Sequence, residues 1–120
     1  VGAGGGVVVS CFDRVTLALV HDAAAAVPLG WLLHSRGGPL TGERCRRVVD
    51  AAVRAGFAAL HPPADACGAE LVEQAHAAGP AGNTWTANAP AEMVRLAEVG
   101  VDAIITDVPD VCRQVLSRRS

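Results

Sequence analysis

Polar and aromatic side chains that could move a proton, hold a cation or shape a small-molecule site recur at the ends of short apolar runs. Ser10 and Phe12 close the first run, Leu33 and His34 the second, His61 the third, Trp85 and Asn88 the fourth, and Thr106 with Asp107 the fifth. Histidines and carboxylates are the usual acid, base and cation-binding groups near neutral pH. Trp85 offers an apolar plate for a small-molecule ligand, with core packing as the alternative use of the same ring. His61 reads equally as a rim contact or a structural cap, and Asp107 is placed to cap a helix opened by Pro109. His76 falls mid-helix, where a solvent-facing or hydrogen-bonded role is expected. Cys11, Cys45, Cys67 and Cys112 form no Cys-x-x-Cys pair. They read as structural thiols in a reducing, cytoplasmic setting rather than as zinc ligands.

The elements that must carry these residues follow from periodicity. Residues 7–12, 28–33, 57–61, 84–88 and 101–106 are unbroken apolar runs, the pattern of parallel strands covered on both faces. Between them the period turns helical. Cys45, Val48, Val49, Ala52 and Val53 share one face before Gly56, Leu71, Val72, Ala75 and Ala78 share another before Gly79, and Met93, Leu96 and Ala97 a third between Pro90 and Gly100. A last helix runs from Pro109 through Val111, Val115 and Leu116. Alternating strands and helices of this length predict right-handed crossovers and one parallel sheet. In such folds ligands bind beyond the carboxyl ends of the strands, where the polar and aromatic residues gather. Strand alternation puts Trp85 and Ala87 on one face and Thr86 and Asn88 on the other, leaving open which pair points inward.

Composition narrows the partners. Ten basic and twelve acidic residues give a net charge of -2, every cation is arginine, and no basic patch interleaves with aromatics, so nucleic acid is not an expected partner. No apolar run is long enough to span a bilayer, and the 51% hydrophobic content is that of a globular chain. Residues 1–6, Val-Gly-Ala-Gly-Gly-Gly, read as a flexible lead-in and carry no secretory pattern. They also lack the preceding strand that a dinucleotide fingerprint needs.

Four segments carry a family resemblance: Val-Val-Val-Ser-Cys-Phe-Asp (7–13), Glu-Leu-Val-Glu-Gln-Ala-His-Ala-Ala-Gly (70–79), Thr-Trp-Thr-Ala-Asn-Ala-Pro-Ala-Glu-Met (84–93) and Gly-Val-Asp-Ala-Ile-Ile-Thr-Asp-Val-Pro (100–109). In order and spacing they resemble the last strands of glycerophosphodiester phosphodiesterases. Cys11 stands where a second Ser is more usual, and Val108 where the family commonly has Arg. The resemblance implies an α/β fold, the C-terminal five or so β/α units of a (β/α)8 TIM barrel, occupying residues 7–120. It also implies hydrolysis of a glycerophosphodiester to an alcohol and glycerol 3-phosphate at a divalent cation, calcium or magnesium. Ser10, Phe12, Trp85 and Asn88 become the substrate-binding residues on this reading.

The family's His-Arg-Gly strand, Pro-Glu-Asn-Thr turn, Glu-x-Asp strand and His-Asp segment, which supply its acid, base and cation ligands, precede the matched region and are not in this sequence. His34-Ser35-Arg36-Gly37 imitates the first motif with an inserted Ser, and His21-Asp22 imitates the last from within a helix. Neither is in the context the chemistry needs. A fragment inactive alone is therefore expected, with a non-catalytic binding or assembly module, or an unrelated half-barrel enzyme using His61 and Asp107, as alternatives. Five strands do not close a barrel of eight, and the inner face is expected to have no polar replacements where the absent strands would lie. The chain is therefore expected to self-associate or stay molten.

Overall fold

The structure, a computed structural model, describes residues 9–23, 28–34 and 38–118. The glycine-rich lead-in and the Ser35, Arg36 and Gly37 part of the imitation motif lie outside the described residues. Five strands form one parallel sheet in sequence order: β1 Val9–Cys11, β2 Leu29–Leu32, β3 Ala59–His61, β4 Ala81–Thr84 and β5 Ala103–Ile104. The helices α1 Arg14–Ala23, α2 Gly42–Ala55, α3 Ala69–Ala78, α4 Pro90–Glu98 and α5 Pro109–Ser117 alternate with them. Ser10 registers with Gly30, Gly30 with Ala59, and Ala59 with Ala81. Neighbouring strands thus follow one another in chain order with a helix after each, the arrangement of consecutive units in a (β/α)8 barrel.

Each helix forms because its apolar residues recur on the side that meets the sheet. In α2, Cys45, Val49 and Ala52 are buried, and Gly56 ends the helix at φ 76, giving its N–H to the Val53 carbonyl at 3.1 Å. Val53, expected on the same face, is 45% exposed, because the buried stripe is narrower than the periodicity implied. Ala78 and Val111 are exposed for the same reason, and in α5 Cys112 takes the inward position instead. Leu29, Leu60, Leu71, Val49 and Leu17 form the main core between sheet and helices; Cys67, Val72, Ala87 and Leu96 form a second cluster beneath α4.

One strand differs in position from its expectation. The fourth lies at Ala81–Thr84, not at 84–88. Its Ala-Gly-Asn-Thr sequence has weak strand propensity, and tertiary pairing decides it: Ala81 donates to the Ala58 carbonyl and Ile105 to the Thr84 carbonyl. Asp102 adds a side-chain clamp, accepting the Gly82 N–H and the His76 ring, both at 2.7 Å. His76 is thus a hydrogen-bonded helix residue, one of its two expected roles. Burial pushes the Asp102 carboxyl upward, but the Gly82 and His76 bonds outweigh it and hold it below its usual 3.8.

The inner face also departs from expectation. Leu60 points to the helices, so Ala59 and His61 point the other way. Ser10, His61 and Asn83 form a hydrogen-bonded polar row on that side, where an apolar surface was expected. The apolar reading failed because it treated each run as uniform, whereas strands alternate and the inward positions include these three polar residues.

Candidate functional site

The row is built by three strands and a gap. Ser10 Oγ on β1 lies 2.8 Å from His61 Nδ1, and Asn83 Nδ2 on β4 lies 3.1 Å from His61 Nε2. Between β1 and β3 stands Gly30, where an added Cβ would come within 2.4 Å of the imidazole. Only glycine lets the ring lie across β2. His61 is 5% exposed, and burial lowers its pKa, which favours the neutral ring. Ser10 is exposed on the same side and so open to a ligand.

Above the row, at the carboxyl ends of the strands, three aromatic rings meet. Phe12 stacks on His34 with centroids 4.4 Å apart and meets Trp85 edge-on at 5.9 Å. The Trp85 indole N–H donates to the His61 carbonyl at 2.6 Å, which fixes the ring over β3. The Trp85–Thr86 peptide is cis. Trp85 also borders an open groove of about 440 Å³ lined by Pro63, Ala64, Asn88 and Glu92. The floor of that groove is held from α4, where the Arg95 guanidinium donates to the carbonyls of Ala64 and Cys67 at 2.8 and 2.9 Å and pairs with Glu92.

The four residues expected to bind substrate therefore divide. Phe12 and Trp85 are in contact, and Ser10 sits on the same inward side of β1 as Phe12. Asn88 lines the same groove as Trp85, and its amide is also engaged: its Oδ1 accepts from Thr106 Oγ1 and the Asp107 N–H, and its Nδ2 donates to Asp107 at 3.0 Å. It ties the loop after β4 to the loop after β5. Asp107 is thus an acceptor for Asn88 rather than the cap of α5, whose N-cap position is Val108 without a side-chain bond. Thr106 receives the Val108 N–H at 3.1 Å instead.

His61 resolves as an inward polar centre, neither rim contact nor cap. The signal that would have found it is parity: Ser10, His61 and Asn83 all fall on inward positions of consecutive strands, with a glycine in the one between. His61 and Asp107 have no hydrogen-bond partner in common among the described residues. His21 and Asp22 lie within α1, as expected for that pair.

No three His, Cys, Asp or Glu side chains among the described residues converge to hold a metal ion. The cation the resemblance implies does not fit this set of residues. The cysteines are unpaired thiols, and burial followed by the Glu70 charge pushes Cys45 up to about 11, so it is an inert core group near neutral pH. No helix among the described residues is long and apolar enough to cross a membrane.

Consecutive β/α units with aromatic and polar side chains gathered at the strand ends define part of a TIM barrel. The chain belongs to the glycerophosphoryl diester phosphodiesterase family, whose model matches residues 2–111. Among solved structures it is similar to a protein of Silicibacter pomeroyi DSS-3 assigned as a glycerophosphoryl diester phosphodiesterase, at 30% identity and TM-score 0.83 over 93% of this chain and 38% of that one. A protein of Galdieria sulphuraria assigned as a glycerophosphodiester phosphodiesterase shares the fold at 19% identity and TM-score 0.82, over 95% of this chain and 45% of that one. So does an Oleispira antarctica phosphodiesterase solved with the product sn-glycerol-3-phosphate, at 18% identity and TM-score 0.75, over 92% and 41%. The chain spans 38% to 45% of the length of these three relatives. A search of curated proteins finds no match.

Proposed function

We propose that these residues form the alcohol-side wall of a barrel that hydrolyses glycerophosphodiesters to an alcohol and glycerol 3-phosphate. The observation that carries this is the edge-to-face pair of Phe12 and Trp85 beside an open groove at the strand ends, in a chain of this family. An apolar plate of this kind covers the carbon skeleton of an alcohol and leaves its oxygens to polar neighbours. Acid, base and cation ligands, calcium or magnesium being the metals of interest, come from polypeptide outside these 120 residues on this reading. Asn88 acts by holding the two loops that border the groove.

The test is reconstitution. Joined to or co-expressed with the first part of a family barrel, the chain should support release of glycerol 3-phosphate from a glycerophosphodiester, and the 120 residues alone should not. In the reconstituted barrel Trp85→Ala should raise KM more than it lowers kcat, because the ring contacts the alcohol and not the reacting phosphorus. Unchanged kinetics in a folded variant would return Trp85 to the core. Turnover by the isolated chain would favour an independent half-barrel enzyme instead.

The same reading has a physical corollary. With β1 and β5 at the edges of an open sheet and Ile105 45% exposed on β5's inner side, the isolated chain self-associates or binds apolar dyes. Light scattering after size-exclusion reads this directly, and a compact monomer with cooperative unfolding would contradict it.

A further inference from the structure

The polar row has a direction. An amide nitrogen can only donate, so Asn83 Nδ2, 3.1 Å from Nε2, makes that ring nitrogen the acceptor. A neutral imidazole carries one proton, which must then sit on Nδ1 and be donated to Ser10 Oγ at 2.8 Å. With its oxygen accepting from His61, the Ser10 hydroxyl keeps its own proton for another acceptor. Among the described residues Ser10 has no second side-chain partner, and it is exposed on the inward side below Phe12.

We infer that His61 is a positioning residue that orients the Ser10 hydroxyl to donate to an acceptor oxygen of the ligand lying against Phe12 and Trp85. The inference rests on the rim reading above and adds a residue that reads oxygen position to the plate that covers carbon. The acceptor is a polyol or a phosphate oxygen. The arrangement is distinct from a serine–histidine nucleophile pair, in which the ring would accept the serine proton. Here the ring gives one. His61 acts twice on this site, through its imidazole on Ser10 and through its carbonyl on the Trp85 indole. Gly30 is what makes both possible, since any side chain there would displace the ring from across β2.

The test uses the barrel reconstituted with the first part of a family member, because the isolated chain is expected to self-associate. Nitrogen-15 NMR of the imidazole distinguishes the tautomers, and a proton on Nδ1 of His61 is expected. A proton on Nε2 would make Ser10 the donor into the ring and overturn the inference. Titration with sn-glycerol 3-phosphate, inorganic phosphate and glycerol should then shift Ser10 and His61 Nδ1, and the probe that suffices identifies the acceptor. If Trp85 responds while Ser10 and His61 do not, the rim reading stands and this inference falls. If no probe moves any of the three, both fall.

Two variants separate positioning from packing. His61→Asn places an amide nitrogen two bonds beyond Cβ, where Nδ1 was, and should keep binding within about twofold. His61→Gln replaces Nε2 instead and should weaken it about fivefold to tenfold, as should Ser10→Ala, the scale of one hydrogen bond. Equal loss in His61→Asn and His61→Gln would mean that the ring only packs.

Discussion

The two faces of the sheet are built by opposite rules. Outward, Leu29 and Leu60 meet Leu17, Val49 and Leu71 in a dry, close-packed layer in which the helices cover the strands. Inward, the same strands present Ser10, His61 and Asn83 in a hydrogen-bonded row, crowned by Phe12, His34 and Trp85. The outer face tolerates no gap because its energy is burial, and the inner face tolerates exposure because its groups hydrogen-bond one another. The parity of a strand residue therefore decides whether it joins the apolar layer or the polar row.

The comparison is broken or sharpened first at Leu60, which is fully buried on the outer face. Leu60→Ala should cost about 2–5 kcal/mol, read as a fall in the urea midpoint. A loss well under 1 kcal/mol would mean the outer layer is not the packed core described here. Next in size is Gly30→Ala, which forces its methyl against the His61 ring and should cost about 1–3 kcal/mol. Adding His61→Ala to it should recover much of that strain, and additive losses from the two changes would show that the clash is not with the ring.

A smaller effect is expected from acid. Burial alone lowers the His61 pKa below 6.5, and the groups facing the ring, Ser10, Gly30 and Asn83, are all uncharged. Above 6.5 both the folded and the unfolded chain hold it neutral. As pH falls below that value the unfolded chain takes the proton first, so His61 should reduce stability progressively toward its folded pKa. His61→Asn should flatten that part of the profile. The Asp102 contribution is separate: its carboxyl is held low, so its stabilisation is present above 3.8 and lost only as pH falls below it. Smallest of all, Ile105→Ser on the open inner side should change the urea midpoint by about 0.5 kcal/mol or less, because the residue is already 45% exposed.

Much of this was readable from residue order. The helix seams through Cys45, Val49 and Ala52 and through Leu71, Val72 and Ala75 are periodic, and Gly56 and Pro90 punctuate as such residues must. Trp85 and Phe12 stood out as aromatic residues at strand ends, and they do meet. The fourth strand was misplaced because Ala81–Thr84 has no local preference for extension and is held by β3, β5 and the Asp102 clamp. Asn88, placed with Trp85 at a strand end and through the family resemblance, lines the same groove, while the bonds of its amide to Thr106 and Asp107 depend on the loop after β5 and have no local signal.

What the sequence determined by itself is the alternation of strand and helix, the family and the absence of that family's acid, base and cation-binding motifs from these residues, because periodicity and motif spacing are local properties of a chain. What only tertiary structure decided is the polar row. Ser10, Gly30, His61 and Asn83 are spread over four strands, and the parity of each strand does not by itself bring them together. Parallel pairing in one register brings them side by side, and a hydrogen bond of 2.8 Å between residues 51 positions apart exists only once the intervening units have folded between them.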